Sequence, residues 1–339
     1  MSHPLVSILV PVYNVEPYIE RCARSLFEQT YDNLEYIFVD DCTPDKSMQI
    51  IEEVIKDYPY RAGQVRIIKH EYNKGIGVAR NILVENAQGE FVWYVDSDDW
   101  VEVNSIELMV YKAQETNADI ITCNAYAHYV DKVIEYVSGG WDLDRDTLLE
   151  MILKRKRSTT LWYRLIRKCL FDEYHLRFDD KIILGEDLLL FPQLLYYAQK
   201  VAGIPDYLYH YNKNNSCSII HRLPSQLDLQ INGCLNKQSL KEFFRDKNTY
   251  YYCLCEILEI KYFHKCLKWN YVERNKKGYT FFANKLKETN PIRWGCIEWN
   301  RPVIRLLESN YYLYYVLSSL RIIKRKGLML IGIVKNNHA

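Results

Sequence analysis

The sequence predicts an α/β protein with a largely parallel central sheet flanked by helices, followed by a helical C-terminal extension. Three observations carry this reading. Short apolar runs of strand length alternate with amphipathic stretches of helical spacing over the first 125 residues. The run Phe91-Val92-Trp93-Tyr94-Val95 stops at Asp96-Ser97-Asp98-Asp99, as a buried strand does when it delivers acids to the rim of a sheet. From Pro224 onward the apolar spacing becomes helical throughout, through Leu227, Leu229, Ile231, Leu235 and Leu240.

Taken in order, Leu5 to Pro11 is the first predicted strand. Val15 to Thr30 follows as a helix on the spacing of Tyr18, Ile19, Cys22, Leu26 and Phe27. Leu34 to Val39 is a strand ending in Asp40-Asp41, Ser47 to Tyr58 a helix, Val65 to Lys69 a strand, and Ile76 to Asn86 a helix. The Phe91 strand comes next, then a helix after Asn104 and a strand from Asp119 to Cys123. A parallel sheet binds ligands beyond the carboxyl ends of its strands. Asn14, Asp40, Asp41, Asp96, Asp98 and Asp99 all fall there, so the fold gathers them along one rim. Asp and Asn are also ordinary turn formers, and it is the joint placement that speaks for a site. Asp98 or Asp99 as a helix cap is the competing reading, but Asn104-Ser105-Ile106-Glu107 supplies a cap of its own.

Three carboxylates within four residues repel one another unless a cation sits among them, and Mg²⁺ or Mn²⁺ with oxygen ligands fits such a group. Two nucleotide-binding schemes are excluded. The first strand-to-helix turn, Pro11-Val12-Tyr13-Asn14-Val15-Glu16-Pro17, has no glycine, and Gly75-Ile76-Gly77-Val78-Ala79-Arg80 places Arg at the last glycine position of a dinucleotide fingerprint. No Walker loop occurs.

The formal net charge of +1 gives no global field for nucleic acid. The ten cysteines lack paired C-x-x-C spacing and read, for the most part, as reduced core residues of a cytoplasmic chain, and the first residues carry no signal-peptide pattern. The 29 tyrosines suggest amphipathic surfaces that touch sugars, lipid headgroups or a partner.

Four blocks together resemble family 2 glycosyltransferases of the GT-A fold: Ser7-Ile8-Leu9-Val10-Pro11-Val12-Tyr13-Asn14; Val39-Asp40-Asp41-Cys42-Thr43-Pro44-Asp45; Asn73-Lys74-Gly75 with Ala79-Arg80-Asn81; and Asp96-Ser97-Asp98-Asp99. Trp162 to Ile166, Gly185-Glu186-Asp187, Leu208-Tyr209-His210-Tyr211 and Asn215-Ser216 resemble later blocks of bacterial members, and the resemblance fades near residue 220. It implies a catalytic domain over 1–220, with a nucleotide-sugar half to about 125 and an acceptor half over 126–220, and an extension over 221–339.

The resemblance also implies roles. Asp41, with Asp40 close by, reads the nucleotide base; Pro11, Tyr13 and Glu16 line the uridine pocket, and Asn14, Asn73 and Lys74 belong to the same donor site. Arg80 reaches the base or its phosphates. Asp98 faces the ribose or the metal, Asp99 is the main metal ligand, and Asp96 supports them. Asp187, supported by Glu186, is the general base. Cys42-Thr43-Pro44 departs from the Gly-Ser-Thr more usual in the family. As a helix start, Glu186-Asp187 has a plain alternative reading, since acids favour that position for dipole reasons.

The implied activity is inverting transfer from a nucleoside diphosphate sugar, a UDP-sugar first of all, to a saccharide or lipid-linked saccharide acceptor, assisted by Mn²⁺ or Mg²⁺, in bacterial surface polysaccharide synthesis such as capsule or O-antigen. A non-catalytic scaffold subunit is the rival reading. A nucleotidyltransferase is a nearer one, but the glycine-rich basic loop it needs is missing. His210, Arg164 and Arg167 are second-tier candidates, and the run Lys154-Arg155-Lys156-Arg157 reads as a solvated helix end. Tyr311 to Leu317, the cations Arg321, Lys324, Arg325 and Lys326, and the apolar Leu328 to Val334 suit either a helix in the inner membrane interface or one docked on protein, including a second subunit. No stretch of about 20 apolar residues spans a bilayer.

Overall fold

Strand β1 (Val6–Val12) is central to its half of the sheet and buried along its whole length. Its sequence, VSILVPV, is the near-continuous apolar run that a parallel strand covered on both faces requires. This computed structural model describes residues 3–137, 143–215 and 225–289. The chain divides into two compact units, one ending at Phe243 and the other beginning at Phe244.

In the first unit β1 is followed by α1 (Ile19–Phe27), β2 (Leu34–Asp40), α2 (Ser47–Asp57), β3 (Val65–Lys69), α3 (Ile76–Asn86) and β4 (Phe91–Tyr94). β1 pairs in parallel with β2 (Val12↔Asp40) and with β4 (Leu9↔Tyr94), and β2 with β3 (Asp40↔Lys69). Their carboxyl ends therefore lie side by side. β3 and α3 have the bounds the sequence predicts, and α1 is shorter than its predicted span.

Past β4 the sheet becomes mixed. The elements are β5 (Trp100–Val101), α4 (Ser105–Thr116), β6 (Ile120–His128), β7 (Val133–Tyr136), α5 (Arg145–Leu153), β8 (Arg164–Arg167), α6 (Cys169–Glu173), α7 (Glu186–Tyr197), β9 (Val201–Asn212) and α8 (Gln226–Phe244). Among the described residues the strand order is β3-β2-β1-β4-β8-β6-β9-β5, with β7 beside β6. β8 runs antiparallel between β4 and β6, and β9 lies parallel to β6. The predicted β-α alternation thus builds the parallel half, while β6 to β9 add antiparallel pairings that short runs such as RLIR do not announce.

The second unit contains α9 (Thr249–Val272) and α10 (Lys276–Lys287), packed on each other, with Phe263 against Phe282. No described helix is long and apolar enough to cross a membrane. Ser216 and the 311–334 segment lie outside the described residues.

Candidate active site

The turns after β1 and β2 are laced together by one carboxylate. Asp45 Oδ2 accepts from Glu16 N at 2.8 Å, and Oδ1 accepts from the hydroxyls of Thr43 and Ser47. Burial works against its charge, but the hydrogen bonds from Ser47, Thr43 and Glu16 prevail and hold the carboxyl below the usual range. Asn14 N donates to Thr43 Oγ1 at 2.7 Å, and Lys46 N donates to Glu16 Oε2 at 3.0 Å. Asn14 and Cys42 both take left-handed backbone, φ 56° and 57°. Asp40 accepts from Thr43 N. Pro11 is buried in β1, while Tyr13 projects outward at 38% exposure from the same turn. The expected uridine-pocket residues are therefore brought together, with Asp45 as the clamp to which sequence reasoning gave no role.

Asp41, expected to read the base, is 3% exposed. Its Oδ1 accepts from Lys74 N and meets His70 Nδ1, both at 2.8 Å, while Oδ2 accepts from Gly75 N at 2.9 Å. Asp41 thus fixes the loop that presents the exposed Asn73 and Lys74. Gly75 tolerates this at φ 88°, where a side chain would be strained.

At the β4 rim the three acids are not equivalent. Asp99 is 1% exposed, and both oxygens are engaged: Oδ2 by the Tyr209 hydroxyl and Oδ1 by Asn212 N, each at 2.7 Å. Burial, then Asp98 and Asp96, pushes its carboxyl well above the ordinary range. Asp98 accepts from Asn215 Nδ2 at 2.7 Å through Oδ2, and burial followed by the charge of Asp96 raises it to about 6. Asp96 and Asp98 are half-buried, so they, rather than Asp99, keep oxygens within reach of a ligand.

Arg80 joins this rim to the acids of α7. Its Nη2 donates to Asp96 Oδ1 at 2.9 Å, and Nη1 donates to Glu186 and, at 3.4 Å, to Asp187 Oδ1. The guanidinium expected at the nucleotide is buried and committed to three carboxylates. Asp187 also accepts from Leu161 N at 3.3 Å. Burial raises its carboxyl to about 7 against the opposing pull of Arg80, with Glu186 and Asp96 adding to the rise. That is the range a general base at neutral pH needs.

Glu186 and Asp187 open α7 behind Gly185, which takes φ 76°. Two asparagines of α8 hold this approach: Asn232 accepts from Leu184 N and donates to Lys181 O, and Asn236 donates to Gly185 O. Asn81, next to Arg80, exchanges two hydrogen bonds with the Phe178 backbone. Nothing in the α8 spacing marked these residues as part of the site. His210, by contrast, is spent elsewhere: its nitrogens meet Glu102 and His128, and its ring stacks on Trp100. Arg167 pairs with Glu90 and Asp119.

Among the described residues no three His, Cys, Asp or Glu side chains form a ready metal site. The donor set nonetheless suits a hard divalent ion. Asp96 and Asp98 are partly exposed carboxylates whose charges repel one another, and a cation such as Mg²⁺ or Mn²⁺, with phosphate and water completing its shell, would relieve that repulsion.

The family model described as Glycosyl transferase family 2 matches residues 7–174. EpsJ of Bacillus subtilis (strain 168), an uncharacterized glycosyltransferase, is 34% identical over 229 residues, 66% of this chain and 65% of that protein. The chain thus spans slightly less than two thirds of that relative's length. Glycosyltransferase GlyG of Streptococcus pneumoniae serotype 4 is 30% identical over 226 residues, 62% of this chain and 71% of that protein. Residues 1–349 of S. aureus TarS, solved in complex with UDP-GlcNAc, superpose with a TM-score of 0.67 at 18% identity, over 86% of this chain and 83% of that one, so the two share a fold.

Proposed function

Because the chain belongs to glycosyl transferase family 2, we propose that it is an inverting glycosyltransferase that moves a sugar from a UDP-sugar to a hydroxyl of a saccharide or lipid-linked saccharide. The observation that carries the reading is the Arg80 bridge, which ties the β4 rim at Asp96 to Glu186 and Asp187 on α7. A donor seated on the rim would thereby present its anomeric carbon to an acceptor beside Asp187.

In this mechanism Asp187 takes the proton of the acceptor hydroxyl. The acceptor oxygen bonds to the anomeric carbon as the bond to the diphosphate oxygen breaks. Attack from the opposite face inverts the centre. Asp98 and Asp96 would hold Mg²⁺ or Mn²⁺, which supplies charge neutralisation to the departing diphosphate when bound. Asp99 positions these two from behind. Asp41 shapes the base side of the pocket through the 70–75 loop, with Pro11, Tyr13, Asn14 and Glu16 around the uridine. The UDP-GlcNAc bound by the TarS neighbour supports a uridine donor.

We further place the catalytic residues within 1–220 and the protein in the cytoplasm of a bacterium making surface polysaccharide. The segment near the C-terminus would rest on the inner membrane face or on a second subunit.

The test is a thermal-shift screen of the purified chain against nucleoside diphosphate sugars, with Mn²⁺ and with chelator, followed by a transfer assay on the stabilising donor. Metal-dependent stabilisation by a UDP-sugar, with transfer lost in Asp187→Asn, supports the proposal. If no nucleotide sugar binds under either condition, the scaffold reading takes its place.

A further inference from the structure

Arg164 opens β8 at the level where β4 ends, since Leu165 lies opposite Trp93. It is 3% exposed, and its Nε and Nη1 have no hydrogen-bond partner. Nη2 alone is satisfied, by Ser158 O at 3.0 Å. The guanidinium lies 3.8 Å above the ring of Phe191, which is one turn beyond Asp187 on α7. A closed-off cation with two unsatisfied nitrogens is costly unless something completes it.

The segment next to it repeats the imbalance. Arg157, half-buried and adjacent to Ser158, has an Nε shut off from solvent without a partner. Arg155 and Lys156 are exposed, and neither makes an ion pair among the described residues, whereas Lys154 is paired with Glu150. The same segment reaches the candidate base through Leu161 N. Although the Tyr163 ring also stacks on Arg164 at 4.3 Å, Arg157 and Arg164 keep guanidinium nitrogens without hydrogen-bond partners within four residues of Leu161, whose N–H reaches Asp187. A single carboxylate needs only one guanidinium fork, so this excess suits a phosphate.

We propose that Arg157 and Arg164, aided by Arg155 and Lys156, bind a phosphate group carried by the acceptor and so hold its hydroxyl near Asp187. This rests on the glycosyltransferase reading and adds to it the chemical class of the acceptor. Arg157 and Lys156 meet the incoming phosphate, and Arg164 forms the inner wall.

The test is calorimetric titration of the full chain with inorganic phosphate at fixed ionic strength, with the donor site filled by UDP and Mn²⁺. Saturable binding that falls at least tenfold in Arg157→Ala, with UDP affinity unchanged within twofold, is the expected result. Arg164→Lys, which keeps the charge and the packing, should weaken phosphate several-fold. Equal phosphate affinity in wild type and Arg157→Ala, or no binding to wild type, overturns the proposal. Failure of UDP to bind would instead count against the glycosyltransferase reading, and the phosphate titration can be read without it.

Two acceptor sources are then separated by assay, a soluble phosphorylated saccharide and a saccharide on a polyprenyl diphosphate. The source whose KM rises in Arg157→Ala at unchanged kcat carries the phosphate. Loss of binding to phosphatidylglycerol vesicles in that variant, without any inorganic phosphate site in the wild type, would assign the run to a membrane surface and overturn the acceptor site.

Discussion

The hydroxyl of Tyr209 donates to Asp99 Oδ2 at 2.7 Å, joining residues 110 positions apart, and accepts from Asp96 N at 3.1 Å. One phenol from β9 thereby sets both the backbone and the innermost acid of the β4 rim. Tyr209→Phe leaves a buried carboxylate oxygen and a backbone N–H short of a partner, at a cost of about 1–3 kcal/mol. Urea unfolding should show this loss, with a weaker response to UDP and Mn²⁺. Unchanged stability would mean that Asp99 is held by Asn212 alone.

If Asp187 is the base, as proposed, it sets the pH dependence of transfer. Burial raises its carboxyl to about 7, and the base works only when ionised, so kcat/KM should fall as pH drops through about 7. The sign for stability is the reverse. A carboxyl raised in the fold above its ordinary value of 3.8 binds its proton more tightly there than in the unfolded chain, so this group increasingly favours unfolding as pH rises from about 4 to about 7. Asp187→Asn should lower transfer by about 10²–10⁴ and leave UDP binding nearly intact. A rate that stays level down to pH 5 would remove Asp187 as the base.

The parallel half of the fold was legible because each of its strands is a short, uninterrupted apolar run, and because the acids at their ends fall in register. Asp40, Asp41, Asp96, Asp98 and Asp99 are on the rim as the spacing required. Their separate duties were not legible. Whether an Asp turns to solvent, as Asp98 does in part, or inward, as Asp41 and Asp99 do, depends on groups far along the chain, such as Gly75, Tyr209 and Asn212. Arg80 presents the same difficulty, since its partners Glu186 and Asp187 lie more than a hundred residues away. Asn232 and Asn236 were illegible for a simpler reason: a polar position on a helix reads as a solvent face until its neighbour is known.

Among the described residues Arg80 is the cation that pairs with Asp96, Glu186 and Asp187. Arg80→Met keeps much of the side-chain volume and removes the cation, leaving three crowded carboxylates, with an expected loss of about 3–5 kcal/mol near neutral pH. The deficit should shrink at pH 5, where protonation relieves the crowding. Denaturant titrations at two pH values check this. A fall in UDP affinity without a loss of stability would return Arg80 to the nucleotide contact expected from its motif.

Asp98 is the carboxylate through which metal dependence should pass. Its carboxyl is raised to about 6 by burial first and by Asp96 second, so its ionised form is disfavoured in the fold and Asp98→Asn should not lower stability at pH 7. The same substitution should abolish the extra thermal stabilisation that Mn²⁺ gives to UDP binding. If the variant still shows the full metal-dependent shift, the ligands lie elsewhere on the rim.

Far from the rim, the opposite end of the sheet is anchored where Gly89 meets Ser7. A Cβ on Gly89 would stand 2.6 Å from Ser7 Oγ, 2.7 Å from Ser7 N and 2.7 Å from Phe91 O. Two of these three atoms are backbone, and the hydroxyl is itself fixed by donating to the buried Glu35. None can yield without moving β1 against β4. Gly89→Ala should cost about 1–3 kcal/mol, seen as a lower urea midpoint at unchanged m value. Ser7→Ala should not rescue it, because the clash with the backbone remains. UDP affinity should be unaltered in the folded variant, since the substitution lies at the amino ends of the strands whose carboxyl ends build the site.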